Sequence, residues 1–87
     1  MQEKTEKLYK TMGSLISRLR QEKGIKYTDF CYGYDIPTST YDDIVNGKHK
    51  VSFYNVAKII KALGLNFEEF GKLLDAELPE NFLSYEE

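Results

Sequence analysis

The chain has 87 residues, 12 Lys and Arg against 14 Asp and Glu for a net charge of −2, one cysteine and one histidine. That length supports one small core and is short for an enzyme with a roofed active site, so binding is the expectation rather than catalysis. No apolar run approaches the ~20 residues of a membrane span, the first residues lack a secretory leader's apolar stretch, and Cys31 and His49 alone form neither disulfide nor zinc site, which predicts a cytoplasmic protein without cofactor or metal.

Leu8, Met12, Leu15, Ile16 and Leu19 fall at helical spacing, and Gly24 follows the charged Arg20-Gln21-Glu22-Lys23 as a left-handed stop. Residues 28–34 form a second short segment with Phe30, Cys31 and Tyr34 inward, and Cys31 reads as an inert packing thiol. A tight turn at Asp35 and Ile36 follows. Pro37 has no N–H to donate but is tolerated at a helix start, and it biases Ile36 towards extended geometry, so the chain reorients there. Helix three is predicted over 38–45 with Tyr41 and Ile44 inward and Asn46-Gly47 accepting positive φ after it. Ser52 caps a fourth helix carrying Phe53, Val56, Ala57, Ile59, Ile60 and Leu63 inward, ended by Gly64. Asn66-Phe67-Glu68-Glu69 has the cap-x-x-Glu pattern of a fifth helix, bearing Phe67, Phe70, Leu73 and Leu74. Pro79 ends regular structure. The predicted organisation is all-α, a five-helix bundle over residues 1–76 with a short C-terminal tail at 77–87.

Charge is unevenly spread: +4 over residues 10–26, −4 over 27–45, +2 over 46–50, +2 over 51–65 and −6 over 66–87. Arg18, Arg20, Lys23, Lys26, Lys48 and Lys50 are candidates to meet phosphates while the acidic tail faces away; a mixed solvated surface is the plainer reading. The short helix opened by Pro37-Thr38-Ser39 and closed by Asn46-Gly47, preceded by another short helix, reads as the second half of a helix-turn-helix. Such a unit places one helix end against a partner, usually the DNA major groove.

These features, in this order and spacing, resemble the Cro/phage-repressor type of helix-turn-helix, the XRE family, over residues 15–70. The resemblance is carried by the Arg-rich first helix ending in Gly24, Ile36-Pro37-Thr38-Ser39-Thr40, Asn46-Gly47-Lys48, Ala57-Lys58-Ile59-Ile60-Lys61-Ala62-Leu63-Gly64-Leu65 and Asn66-Phe67-Glu68-Glu69-Phe70. It implies a repressor-like bundle and a sequence-specific DNA-binding transcriptional regulator acting as a dimer on double-stranded DNA. By the same resemblance Tyr27, Thr38, Ser39, Asp42 and Asp43 face the DNA, with Asn46 and His49 near its backbone. Arg18, Lys48 and Lys50 then neutralise phosphates. The hydroxyls of Thr38 and Ser39 have helix capping as their other reading.

The sequence departs from the family pattern at Tyr27, where Gln is common, Cys31, where Ala is usual, Asp35, where Gly is usual, and Tyr41, where a smaller branched residue is usual. Asp tolerates left-handed geometry better than most residues. Asp42 is expected to point to solvent, and Asp43 either accepts from a cytosine amino group or marks weak DNA binding. Tyr32, Tyr34, Tyr41 and Tyr54 gather near the turn and helix four, as core or as a face for another protein. An alternative function follows: a helix-turn-helix interaction module, antitoxin or accessory factor, with weak or no DNA binding. Leu73, Leu74, Leu78, Phe82 and Leu83 on helix five and the tail are expected to form a homodimer surface or to fold back over Leu8 and Met12.

Overall fold

The computed structural model describes residues 2–80 and residue 82, which form five helices: α1 (Gln2–Glu22), α2 (Tyr27–Gly33), α3 (Thr38–Val45), α4 (Phe53–Ala62) and α5 (Phe67–Glu77). The apolar stripe predicted for α1 packs inward, with Met12, Leu15 and Ile16 buried and Leu8 and Leu19 half-buried. Ile16, Phe30, Cys31, Ile44 and Ile59 are sealed from solvent, so all of α1 to α4 contribute to one core.

The first four helices end in one way. In each, the residue that turns the chain bonds back to the carbonyl three before it, and the next residue to the carbonyl five before it: Gly24 and Ile25 to Gln21 and Arg20, Asp35 and Ile36 to Tyr32 and Cys31, Gly47 and Lys48 to Ile44 and Asp43, Gly64 and Leu65 to Lys61 and Ile60. This paired closure satisfies carbonyls that the helix leaves open and requires a left-handed residue. Three of the four are glycines; the fourth is Asp35 at φ 57°, the departure for which its side chain is suited. Of the predicted Asn46-Gly47 pair only Gly47 takes positive φ. Asn46, at φ −90° and ψ 4°, is the C-cap of α3.

At their starts, α4 and α5 are capped by side chains. Ser52 accepts from the Asn55 N–H at 3.1 Å, while Asn66 and Glu69 exchange side-chain to backbone bonds in a complete capping box.

Two side chains expected inward, Tyr34 and Phe53, lie outside. Tyr34 is the C-cap of α2, past its last turn, and is 49% exposed with one edge on Phe30. Phe53 and Phe67 occupy the first positions of α4 and α5, where the apolar stripes run beyond the bundle's edge; they are 71% and 47% exposed and lie against each other at 5.8 Å. Leu73 is exposed as well. In the tail, Phe82 is buried by its own chain, with its N–H on the Pro79 carbonyl at 3.0 Å, and Leu78 is half-buried. Leu83 lies outside the described residues.

One contact fixes how α3 sits. A Cβ at Gly13, midway along α1, would fall 2.5 Å from the Ile44 carbonyl oxygen and 2.6 Å from that of Val45. Near it, Gly47 lies against Lys10 of the same helix. α1 therefore carries the C-terminal end of α3 on its own backbone.

Candidate nucleic-acid interface

α2, the Asp35–Pro37 turn and α3 make up the helix-turn-helix. Ile36 is buried and pins the turn from below, while the Lys58 ammonium of α4 donates to the Asp35 carbonyl at 2.5 Å. Pro37, at φ −57° and ψ 136°, is the N-cap of α3, and no side chain caps it. Thr38 and Ser39 follow that N-cap as the first two helical residues, so the capping role considered for them is absent. With Tyr41 and Ile44 in the core, Ser39, Asp42 and Asp43 are exposed and Thr38 is half-buried.

Tyr27, the first residue of α2, reaches across to α3. Its hydroxyl donates to Asp42 Oδ1 at 3.1 Å, and its ring lies 5.5 Å from that of Tyr41. Partial burial, followed by the Asp42 carboxylate, raises its pKa above the ordinary tyrosine value, so at neutral pH it remains a donor. Asp42 is thus exposed, as the sequence predicted, and accepts a hydrogen bond as well. The structure brings Tyr27, Thr38 and Asp42 together at the shared N-terminal side of α2 and α3. Asp43 is one residue further round, and no partner holds its carboxylate among the described residues.

The cations divide into two groups. Lys48 and Lys50 are exposed on the loop after α3, Lys26 precedes α2, and none of the three has a carboxylate partner among the described residues. His49, between the first two, stacks on Tyr9 of α1 at 5.2 Å, which holds the loop against the bundle. Arg18 is elsewhere: it pairs with Glu77 at the end of α5 at 3.1 Å and with Glu22 at 3.8 Å. The structure does not bring Arg18 to the α2–α3 cluster, because two residues along a helix is about 200° of rotation from Arg20, which faces α3.

Arg20 is also committed internally. Its Nε donates to the Tyr41 hydroxyl at 2.8 Å and a terminal nitrogen donates to the Ile25 carbonyl at 2.6 Å, with the guanidinium 5.8 Å from the Tyr41 ring centre. Burial raises the Tyr41 pKa, and the bond from Arg20 works against that rise. Burial likewise pushes the Cys31 thiol up, keeping it protonated and inert. Sequence reasoning took Arg20 for a phosphate ligand. The signal for its actual role is the large Tyr41 at a core position, whose hydroxyl needs a buried partner.

Two further positioning residues escaped the sequence reading, Gly13 and Lys58. Gly13 did leave a trace: a glycine amid the helical repeat of Met12, Leu15 and Ile16 costs helix stability unless another backbone must come close. Among the described residues, no three His, Cys, Asp or Glu side chains gather as a metal site, and no helix is long and apolar enough to cross a membrane.

The sequence matches the family model of the Cro/C1-type HTH DNA-binding domain over residues 16–75, which is more than half of the chain. The chain belongs to that family. A Cro/C1-type domain is a DNA-binding module of regulatory proteins. Comparison with curated proteins and with solved structures finds no match. The match begins at Ile16 and so leaves out Gly13 and Lys10, the part of α1 on which this Cro/C1-type domain seats its third helix.

Proposed function

We propose that this chain is a sequence-specific transcriptional regulator that inserts the start of α3 into the DNA major groove. The observation that carries the proposal is the bare N-terminus of α3: hydroxyls at Thr38 and Ser39, no side-chain cap, and, on the segments before α2 and after α3, lysines with no carboxylate partner among the described residues. Exposed N–H groups and hydroxyls at a helix start suit base edges and phosphate alike.

Thr38 and Ser39 read base edges, and Asp43 accepts from a cytosine amino group. Asp42 orients Tyr27, so that the phenol stands at the groove's edge where it contacts the backbone. Lys48, Lys50 and Asn46, with His49 beside them, bind phosphate, a role that fixes register without reading sequence. Arg18, engaged with Glu77 and Glu22, takes no part in this reading.

A recognition helix of only eight residues supplies few base contacts, and two-fold symmetry doubles them. The second copy docks on an apolar groove of about 350 Å³ between α1, α4 and α5, whose walls include Leu8, Met12, Phe53, Phe67, Phe70 and Leu74. Its projecting Phe53 and Phe67 beside a concavity provide the knob and hole that a self-complementary interface requires.

The roles separate experimentally. In a variant with Thr38→Ala and Ser39→Ala, discrimination between the preferred site and its single-base variants drops by about 1–3 kcal/mol per lost contact, with non-specific affinity retained. Lys48→Ala instead weakens binding to all sequences and lowers the salt slope by about one. Unchanged discrimination in the first variant together with an unchanged slope in the second would remove these residues from the interface.

A further inference from the structure

Tyr34, Tyr54, Ala57, Lys58 and Lys61 line a shallow cleft of about 250 Å³. Tyr54 is 70% exposed, and Tyr32, on the same short helix as the residues leading to Tyr34, is 75% exposed. The two lysines, one turn apart on α4, lay their ammonium groups over rings: Lys58 at 5.2 Å from Tyr54 and Lys61 at 4.9 Å from Phe67. Lys58 spends one donor on the Asp35 carbonyl, and neither lysine pairs with a carboxylate among the described residues. Among the described residues, no acidic side chain lines the cleft.

Helix packing does not require this arrangement. The buried residues of α4 are Val56, Ile59, Ile60 and Ala62, and Tyr54 and Lys61 are exposed. Exposed tyrosines around a concavity are what protein interfaces concentrate, since a rigid ring with a polar tip gives large contact area at small entropy cost. Two ammonium groups without counter-charges add a preference for carboxylates at the rim. In a chain of net charge −2 with four acidic residues over 27–45, such an acid-free spot stands out.

The geometry points to this cleft as a docking site for an acidic protein segment that carries an apolar anchor: the anchor enters between Tyr34 and Tyr54, and flanking carboxylates meet Lys58 and Lys61. Duplex DNA fits less well, because its bases are stacked and leave only phosphates for the lysines, with nothing for the rings. A single strand offers free bases, yet its binding sites run along several nucleotides of backbone charge, and here both cations belong to one turn of one helix. None of the residues that line the cleft belongs to α3, and the inference stands whether or not α3 reads sequence.

The test uses the full chain and a fluorescent synthetic peptide of Asp and Glu around a central Leu-Phe pair. Three probes run beside it: the same peptide with Ser for the acids, one with Gly for the Leu-Phe pair, and single-stranded oligothymidine. Binding is read by anisotropy and by backbone amide shifts. The expected result is binding of the first peptide above both altered ones, with shifts at Tyr34, Tyr54, Ala57, Lys58 and Lys61, and about tenfold weaker binding in either Tyr54→Ala or Lys61→Glu. Both positions are exposed, and retained helical signal in each variant confirms folding. Equal binding of the Ser-substituted peptide, wild-type affinity in both variants, or absence of binding overturns the proposal. Tighter binding of oligothymidine with the same shifts overturns it too, and assigns the patch to single-stranded nucleic acid.

Discussion

Gly13→Ala is expected to be among the most damaging single-methyl changes in this protein. The added Cβ meets two backbone carbonyl oxygens, of Ile44 and Val45, at 2.5 and 2.6 Å, and a backbone cannot turn aside as a long side chain can. Relief requires α3 to move off α1, which opens the packing around Ile16 and Ile44, both sealed in the wild type. Forcing extra volume into so tight a contact costs about 3 kcal/mol, and for a domain of this size the melting temperature falls by roughly 15 °C. Gly71→Ala is the internal control: it lies inside α5 with nothing within 4 Å of the added carbon, so relief of the glycine penalty raises stability by about 0.5–1 kcal/mol. Thermal denaturation followed by circular dichroism decides. The same chemical change should move the two melting points in opposite directions, and a Gly13→Ala protein as stable as wild type would contradict the seating of α3 described here.

Arg20→Ala carries the second large effect, and it distinguishes a positioning residue from a phosphate ligand. Removal of the guanidinium leaves the buried Tyr41 hydroxyl and the Ile25 carbonyl without their donor. An unsatisfied buried polar group costs about 1–3 kcal/mol, so roughly 2–3 kcal/mol of stability is lost, with a melting point lower by roughly 10–20 °C. DNA affinity falls because Tyr41 sits on the inner face of α3 and its displacement shifts Thr38 and Ser39. No phosphate contact disappears, so the salt slope of binding stays at the wild-type value, whereas loss of one phosphate contact lowers it by about one. Tyr41→Phe in the Arg20→Ala background should recover part of that loss, since it removes the hydroxyl left without its partner. A lower slope with an unmoved melting point would place Arg20 on the DNA instead.

Much of the fold was legible because its signals are local. Gly24, Gly47 and Gly64 each mark a helix end where backbone geometry excludes most other residues, Ser52 and Asn66 mark starts, and apolar spacing between them gives the inner faces. Asp35 was legible for the same reason, as one of the few non-glycine types that accept φ near 57°. The misreadings fell where spacing continues but the bundle does not. Phe53 keeps the helical register of its neighbours, yet it lies at a first helical position past the core, where the Phe67 ring at 5.8 Å is its neighbour.

The candidate site was legible as a set of positions and much less as a set of interactions. Tyr27, Thr38 and Asp42 come together as the motif implies, but the bond from Tyr27 to Asp42 depends on a distance between helices that no spacing rule contains. Arg18 and Arg20 look equivalent in the sequence. Only the direction each takes from α1 shows that one ties down α5 and the other holds Tyr41. With both arginines engaged inside the fold, Lys26, Lys48 and Lys50 are left as exposed cations beside α2 and α3, the last two on a loop braced by the His49–Tyr9 stack.

The most direct test of sequence-specific regulation by this domain is selection from a random duplex library at near-physiological salt, with titration of the selected sequence at several salt concentrations. Enrichment of a palindrome with half-sites about one helical turn apart, bound far more tightly than random duplex at every salt, is the predicted result. A library that enriches nothing, with only weak binding that salt abolishes, would contradict it.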